Sequence, residues 1–266
     1  MIILFAHGSP DPRHRAGVAA VAAQVAQVLA PAESVRVAYL QHHGPTLLDA
    51  VAGVPRRSGA PERSGVRPAG STPAPRVWVL PLLLSDGVHV TEDVPAAVVA
   101  AGLARPDVDW RLLPTLPPAT LALAVLALLP RPERRASGRL RGVVGVVAGS
   151  SRPAALTAFE ALAAALRPAD VELVIANGPG PGVGQAADLL SALGADDVTV
   201  VPLMFADGVL VARAAEAAAD LGLPSTAPLG TTLECGEALA AWAAAHVRRD
   251  TSASRRRVSA GVDAAP

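Results

Sequence analysis

Cysteine is nearly absent from this sequence: its 266 residues include one, Cys235. A single thiol excludes a disulfide within the chain and any cysteine-rich zinc or iron–sulfur centre. Aromatic residues are also scarce, at 3%. Neither charge dominates, since 23 Lys and Arg balance 23 Asp and Glu. Nucleic-acid binders show a basic face or stacking aromatics, so a chain with neither is not expected to bind nucleic acid. Long hydrophobic runs are missing too. The run at 121–129 falls well short of the ~20 apolar residues that cross a bilayer and reads as a buried helix. Residues 1–6 are apolar, but no basic stretch precedes them and His7 stops them, so they do not read as a targeting segment. The expectation is a protein of the reducing cytoplasm with no membrane contact.

What is present is apolar and organised. Half the residues are hydrophobic (51%), and alanine, a strong helix former, is abundant. The length suits one large domain or two of roughly 130 residues each. The chain also repeats itself. "RVWVLPLLLSDGVHVTEDV" (76–94) and "DVTVVPLMFADGVLVARAA" (197–215) share an apolar strand, a proline, an apolar triplet and Asp-Gly-Val. "FAHGSPDP" (5–12) pairs with "VAGSSRP" (147–153), and "VRVAYL" (35–40) with "VELVIA" (171–176), in the same order. One supersecondary unit is therefore used twice.

Strands are predicted at 1–6, 35–40, 77–84 and 111–116. Between the first two, Val18, Val21, Val25, Val28 and Leu29 recur at helical spacing; Leu156, Phe159, Leu162 and Leu166 do so in the second half. Strands that are apolar throughout and separated by helices imply parallel sheets covered on both faces. The expected fold is α/β, with two similar lobes facing across a cleft. Residues 1–130 read as the first repeat and 142–247 as a degenerate second one. A flexible, Pro/Gly/Ser/Arg-rich insertion is expected at 54–75, a linker at 131–141, and a disordered polar tail at 248–266.

Ligands in open parallel sheets bind beyond the carboxyl ends of strands, and His7 and His89 both fall at such ends. Aligning the repeats sets His7 against Gly149 and His89 against Leu210. The ligand-capable residues thus exist in one copy only, while Asp86-Gly87 and Asp207-Gly208 occur in both and read as turn residues. Neutral imidazole binds divalent iron, cobalt, nickel and zinc well. Two imidazoles leave positions open on an ion that is to be passed on. An isolated turn histidine bonded to the backbone is the ordinary alternative; the matched pair favours metal handling.

"AHGSPDP", "VAYLQHHGPTLLDAV" and "LPLLLSDGVHVTEDVP" resemble the sirohydrochlorin chelatases of the CbiX type, in the class II chelatase group. The resemblance spans roughly residues 1–247, apart from the insertion. It implies ATP-independent insertion of Fe²⁺ or Co²⁺ into sirohydrochlorin, on the way to sirohaem or cobalamin. The metal is then a substrate, and no permanently bound cofactor is implied. The family's two metal-handling histidines match His7 and His89, as catalytic residues and as metal ligands. Members often carry an acidic residue where this chain has Gln41, which supplies no anionic ligand; His42 or His43 is the candidate replacement.

In that reading His7 and His89 bind the ion, accept the two pyrrolic protons, or do both in turn. Glu92 reads equally as an assisting carboxylate or as a helix-start acid. Asp93 is assigned to capping or to orienting His89. Ser9 has two readings, grip on a substrate carboxylate or N-capping of the first helix. Arg13 and Arg15 either pair with carboxylate arms or are solvated. The Arg-His-Gly of histidine phosphatases is not matched, because Ala6 precedes His7. A chelatase for another tetrapyrrole and a non-catalytic metal or tetrapyrrole carrier stay open. With both lobes in one chain, a monomer is expected.

Overall fold

The computed structural model describes residues 1–56, 74–84, 87–130, 139–149, 154–178 and 181–262. Strands β1 (Ile2–Ala6), β2 (Val35–Tyr39), β3 (Arg76–Pro81) and β4 (Asp109–Leu112) form one sheet in the order β2-β1-β3-β4. Strands β5 (Arg141–Val147), β6 (Val171–Asn177) and β7 (Asp197–Pro202) form another in the order β6-β5-β7. Every pairing is parallel. Parallel neighbours need long crossovers; here the helices supply them. They are α1 (Pro12–Leu29), α2 (Leu47–Ala50), α3 (Val94–Ala104), α4 (Ala122–Leu128), α5 (Ala154–Leu166), α6 (Pro181–Ala192), α7 (Val209–Asp220) and α8 (Leu233–Val262). The shared order β2-β1-β3 and β6-β5-β7 makes the sequence repeat a repeat of topology.

Side-chain alternation along the strands sorts the core into layers. On β1, Ile2, Leu4 and Ala6 pack inward with Val18, Val21 and Val25 of α1, while Ile3 and Phe5 face α2 and α3 on the outside. On β5, Val143 and Val147 pack inward with Phe159, Leu162 and Leu166 of α5, and Val144 and Val146 face α6 and α7. The inner layer, with α1, α5 and α8, is one continuous apolar cluster that draws on both sheets. The halves exchange their ends. A 3₁₀ turn at Pro118–Leu121, leading into α4, packs on α5 of the second half. Helix α8 packs along α1, and Trp242 donates its indole N–H to the Pro114 carbonyl at 3.0 Å.

Several expectations change. Helix α8 runs through the expected disordered tail to Val262, and Asp250 within it pairs with Arg76 at 3.1 Å. That pair ties the helix at Asp250 to the first half. Arg141, expected in the linker, opens β5, where its N–H bonds the Asp170 carbonyl. The fourth strand lies at Asp109–Leu112 rather than 111–116, because its register is set by pairing with Arg76–Val79. The third strand ends at Pro81, and its apolar continuation Leu82–Leu84 lines a cavity instead. Val28 points outward despite its helical spacing. At the edge of the expected insertion, Val54 is held: the buried Arg105 guanidinium donates to its carbonyl at 3.2 Å. Residues 57–73 and 131–138, and with them most of the expected insertion and linker, lie outside the described residues.

Candidate metal centre

Strand β1 delivers His7 one residue past its last bridge. The β2 end is tied to it, because the Gln41 N–H donates to the His7 carbonyl at 2.9 Å. That tie requires Gly8. Its φ is +96°, and a Cβ there would stand 2.1 Å from the Gln41 carbonyl oxygen. The same turn holds His42 at φ +69°, a left-handed conformation uncommon outside glycine and often found at functional sites. Past β3, His89 opens a π-helical turn, His89–Asp93, that leads into α3. Its sister segment, Val209–Asp220, is an ordinary α-helix. Single π turns are rare and concentrate at functional sites.

These segments bring the two histidines predicted from sequence together: the rings of His7 and His89 have centroids 4.3 Å apart. His7 Nδ1 lies 3.0 Å from the Gly8 carbonyl, which only accepts, so the proton sits on Nδ1. His7 Nε2 is then a bare lone pair, buried and without a hydrogen-bond partner. His89 Nδ1 lies 2.6 Å from Asp93 Oδ2; the carboxylate fixes that tautomer and leaves Nε2 with its lone pair free of the proton. Half of the His89 side chain is exposed (49%). Burial, and then the neighbouring His89 and His42, lower the pKa of His7 below the ordinary histidine value. The ring is therefore neutral near pH 7, the form in which an imidazole can ligate.

His42 joins this pair, its ring 6.0 Å from that of His7 and on the same cavity wall. His43 turns the other way, edge-on against Tyr39 at 4.2 Å and 6.0 Å from His14. Gln41 is exposed and acts here through its backbone. Glu92 is exposed on the π turn and does not line the cavity. Ser9 does line it, but it is not the N-cap of α1. That position belongs to Asp11, whose carboxylate accepts from the Arg13 N–H at 2.9 Å, with Pro12 as the first helical residue. Ser9 Oγ instead accepts from the Asp11 N–H. Arg13 is engaged bidentately by Asp11 and stands off the cavity.

The cavity between the lobes measures about 680 Å³. The first half contributes His7, Ser9, His14, His42 and His89 among apolar neighbours such as Val18 and Leu82–Leu84; the second contributes mainly apolar groups, Val147, Phe159, Leu203, Met204, Phe205 and Leu210. Gly149 and Leu210, the counterparts of His7 and His89, face the same space. Asp207-Gly208, read as a turn, also lines it, while Asp86 lies outside the described residues. His14 was not singled out from sequence. It sits in the first turn of α1 with nothing local to mark it, and only the packing of α1 beside the β2 end sets it near His43.

The fold is shared with solved chelatases. SirB from Bacillus subtilis with Fe³⁺ superposes with a TM-score of 0.66 at 18% identity, over 91% of this chain and 93% of that one. SirB from Bacillus subtilis subspecies spizizenii in complex with cobalt, described as a sirohydrochlorin chelatase, gives 0.61 at 18% identity, over 90% and 91%. CbiX, described as the terminal enzyme for biosynthesis of siroheme in denitrifying bacteria, gives 0.54 at 22% identity, over 92% and 98%. No curated relative matches the chain. The CbiX family profile matches residues 1–128 and 142–248, both repeats in turn. With the doubled parallel sheets and the paired histidines in place, the chain belongs to the CbiX family.

Proposed function

We propose that this protein inserts Fe²⁺ or Co²⁺ into sirohydrochlorin without ATP, as a chelatase of sirohaem or cobalamin synthesis. One observation carries the reading: His7 and His89, from separate strand ends, meet with rings 4.3 Å apart in the cleft. Membership of the CbiX family and the likeness to SirB support it.

Metallation needs an ion stripped of part of its water, a ring held against it, and a place for two pyrrolic protons. His7 Nε2 and His89 Nε2 supply the ligand nitrogens, and His42, on the same cavity wall, is the candidate third. A neutral all-imidazole set holds Fe²⁺, Co²⁺ or Ni²⁺ through borderline-soft nitrogen, with His42 in place of the carboxylate that Gln41 lacks. As the ring nitrogens displace them, the freed imidazoles accept the protons. The macrocycle lies against Phe159, Leu203, Met204 and Phe205, while its carboxylate arms stay toward the open mouth beside Ser9. Arg13 reaches an arm only by leaving Asp11. In this division of labour residues 1–130 bear the ligands and 142–247 form the opposing wall. One chain supplies both walls, so the active unit is a monomer. No helix among the described residues is long and apolar enough to cross a membrane; the proposed site of action is the cytoplasm.

The test is anaerobic incubation with sirohydrochlorin and either metal, followed by the visible spectrum. Wild type turns over many rings per chain; His7→Ala and His89→Ala each lower the rate at least 100-fold while circular dichroism is unchanged. Stoichiometric metallation without turnover would make the protein a carrier. Full activity in either variant would remove that histidine from the mechanism.

A further inference from the structure

Every histidine but His246 gathers at the carboxyl ends of β1, β2 and β3, and two of them have no part in the His7–His89–His42 group. His14, from α1, lines the cavity; its Nδ1 is buried without a hydrogen-bond partner. His43, from the turn after β2, has a buried Nε2 in the same condition. Their ring centroids are 6.0 Å apart, and the Tyr39 ring lies beside both, at 4.2 Å from His43 and 6.2 Å from His14. Buried polar nitrogens are nearly always satisfied, so two orphans on neighbouring rings call for a shared partner. The spacing fits a first-row cation, which sits about 2.0–2.1 Å from each imidazole nitrogen.

We propose that His14 and His43 form a second holding site for a divalent first-row cation, beside the His7–His89 pair. Two imidazoles leave the rest of the coordination sphere to water, so binding there is weak and exchangeable. On the chelatase reading, the site queues the next ion for the insertion centre. The second repeat has no equivalent: aligned on Ala6 and Ala148, and on Val35 and Val171, the matching positions are Leu156 and Pro179. The site therefore belongs to the metal-bearing half and not to the common scaffold.

The test uses the metal-free full chain and Co²⁺ alone, with no tetrapyrrole, followed by titration calorimetry and visible absorption. Wild type is expected to take up two Co²⁺ per chain, one weakly. The double variant His14→Phe, His43→Phe keeps the ring packing and takes up one; His7→Ala, His89→Ala retains the weak site. A single Co²⁺ in wild type, or two in the His14→Phe, His43→Phe protein, overturns the proposal. Should the phenylalanine variant fail to fold, long-range proton–nitrogen spectra of zinc-loaded wild type decide: ligation shifts the ring nitrogens of His14 and His43, and unshifted signals overturn it. None of these readouts needs chelatase activity. Two cation sites without turnover would sink the functional reading alone, and turnover with one site would sink this inference alone.

Discussion

At the scale of single residues, tautomers and charge decide the chemistry. Asp93 touches His89 at Nδ1 and acts as a positioning residue. Asp93→Asn should weaken Co²⁺ binding by about 10–100-fold and leave the thermal midpoint almost unchanged, because the pair is largely exposed; calorimetry of wild type and variant checks this. The pH response has a definite sign. Burial is the largest cause lowering the pKa values of His7, His14 and His43 below the ordinary histidine value. The unfolded chain, titrating near 6.5, therefore takes up protons before the folded one. Stability of the metal-free protein should hold above about pH 7 and fall as pH drops through 6.5 and below. Thermal midpoints from pH 8 to pH 5 should show that slope, flattened in the His14→Phe, His43→Phe variant. His7 and His89 were legible as a pair because the repeat exposed them against Gly149 and Leu210. The choice of His42 over His43 was not, since adjacent residues in a turn differ only in the dihedral angles that aim them.

At the scale of elements, the site is built on strand ends, and its precision depends on what joins them. Gly8→Ala combines a φ of +96° with a Cβ 2.1 Å from the Gln41 carbonyl. It should break the β1–β2 tie, destabilise the fold by more than about 1 kcal/mol, and lower metal affinity with it; denaturant melts and Co²⁺ titration read the two effects. At Gly230, ahead of α8, a Cβ would meet the Phe205 carbonyl oxygen at 1.8 Å. Gly230→Ala should therefore destabilise more, by shifting the cavity wall that Phe205 forms. Apolar runs announced β1, β2, β3 and β7, as period and length allow. The strand at 109–112 was placed two residues late, since a strand on a sheet edge takes its limits from its neighbour rather than from its own composition.

At the scale of the whole molecule, the two sheets share the inner apolar layer and the halves exchange their terminal segments. The full chain should unfold in one cooperative transition by calorimetry. Residues 1–130 expressed alone, with Val18, Val21 and Val25 stripped of α8, should dimerise or aggregate rather than stay monomeric. Added Co²⁺ should raise the midpoint, by about 2.7 kcal/mol of stability at a hundred times its Kd, and His7→Ala, His89→Ala should lose most of that gain. The sequence by itself determined the doubled α/β plan, the parallel sheets and the pair of imidazoles, because apolar period, strand–helix alternation and an internal repeat are local patterns. The tertiary structure alone decided that α8 is held against the first half at Asp250 and that His14 stands beside His43. Those outcomes depend on contacts between segments distant in the chain, and no local pattern encodes such contacts.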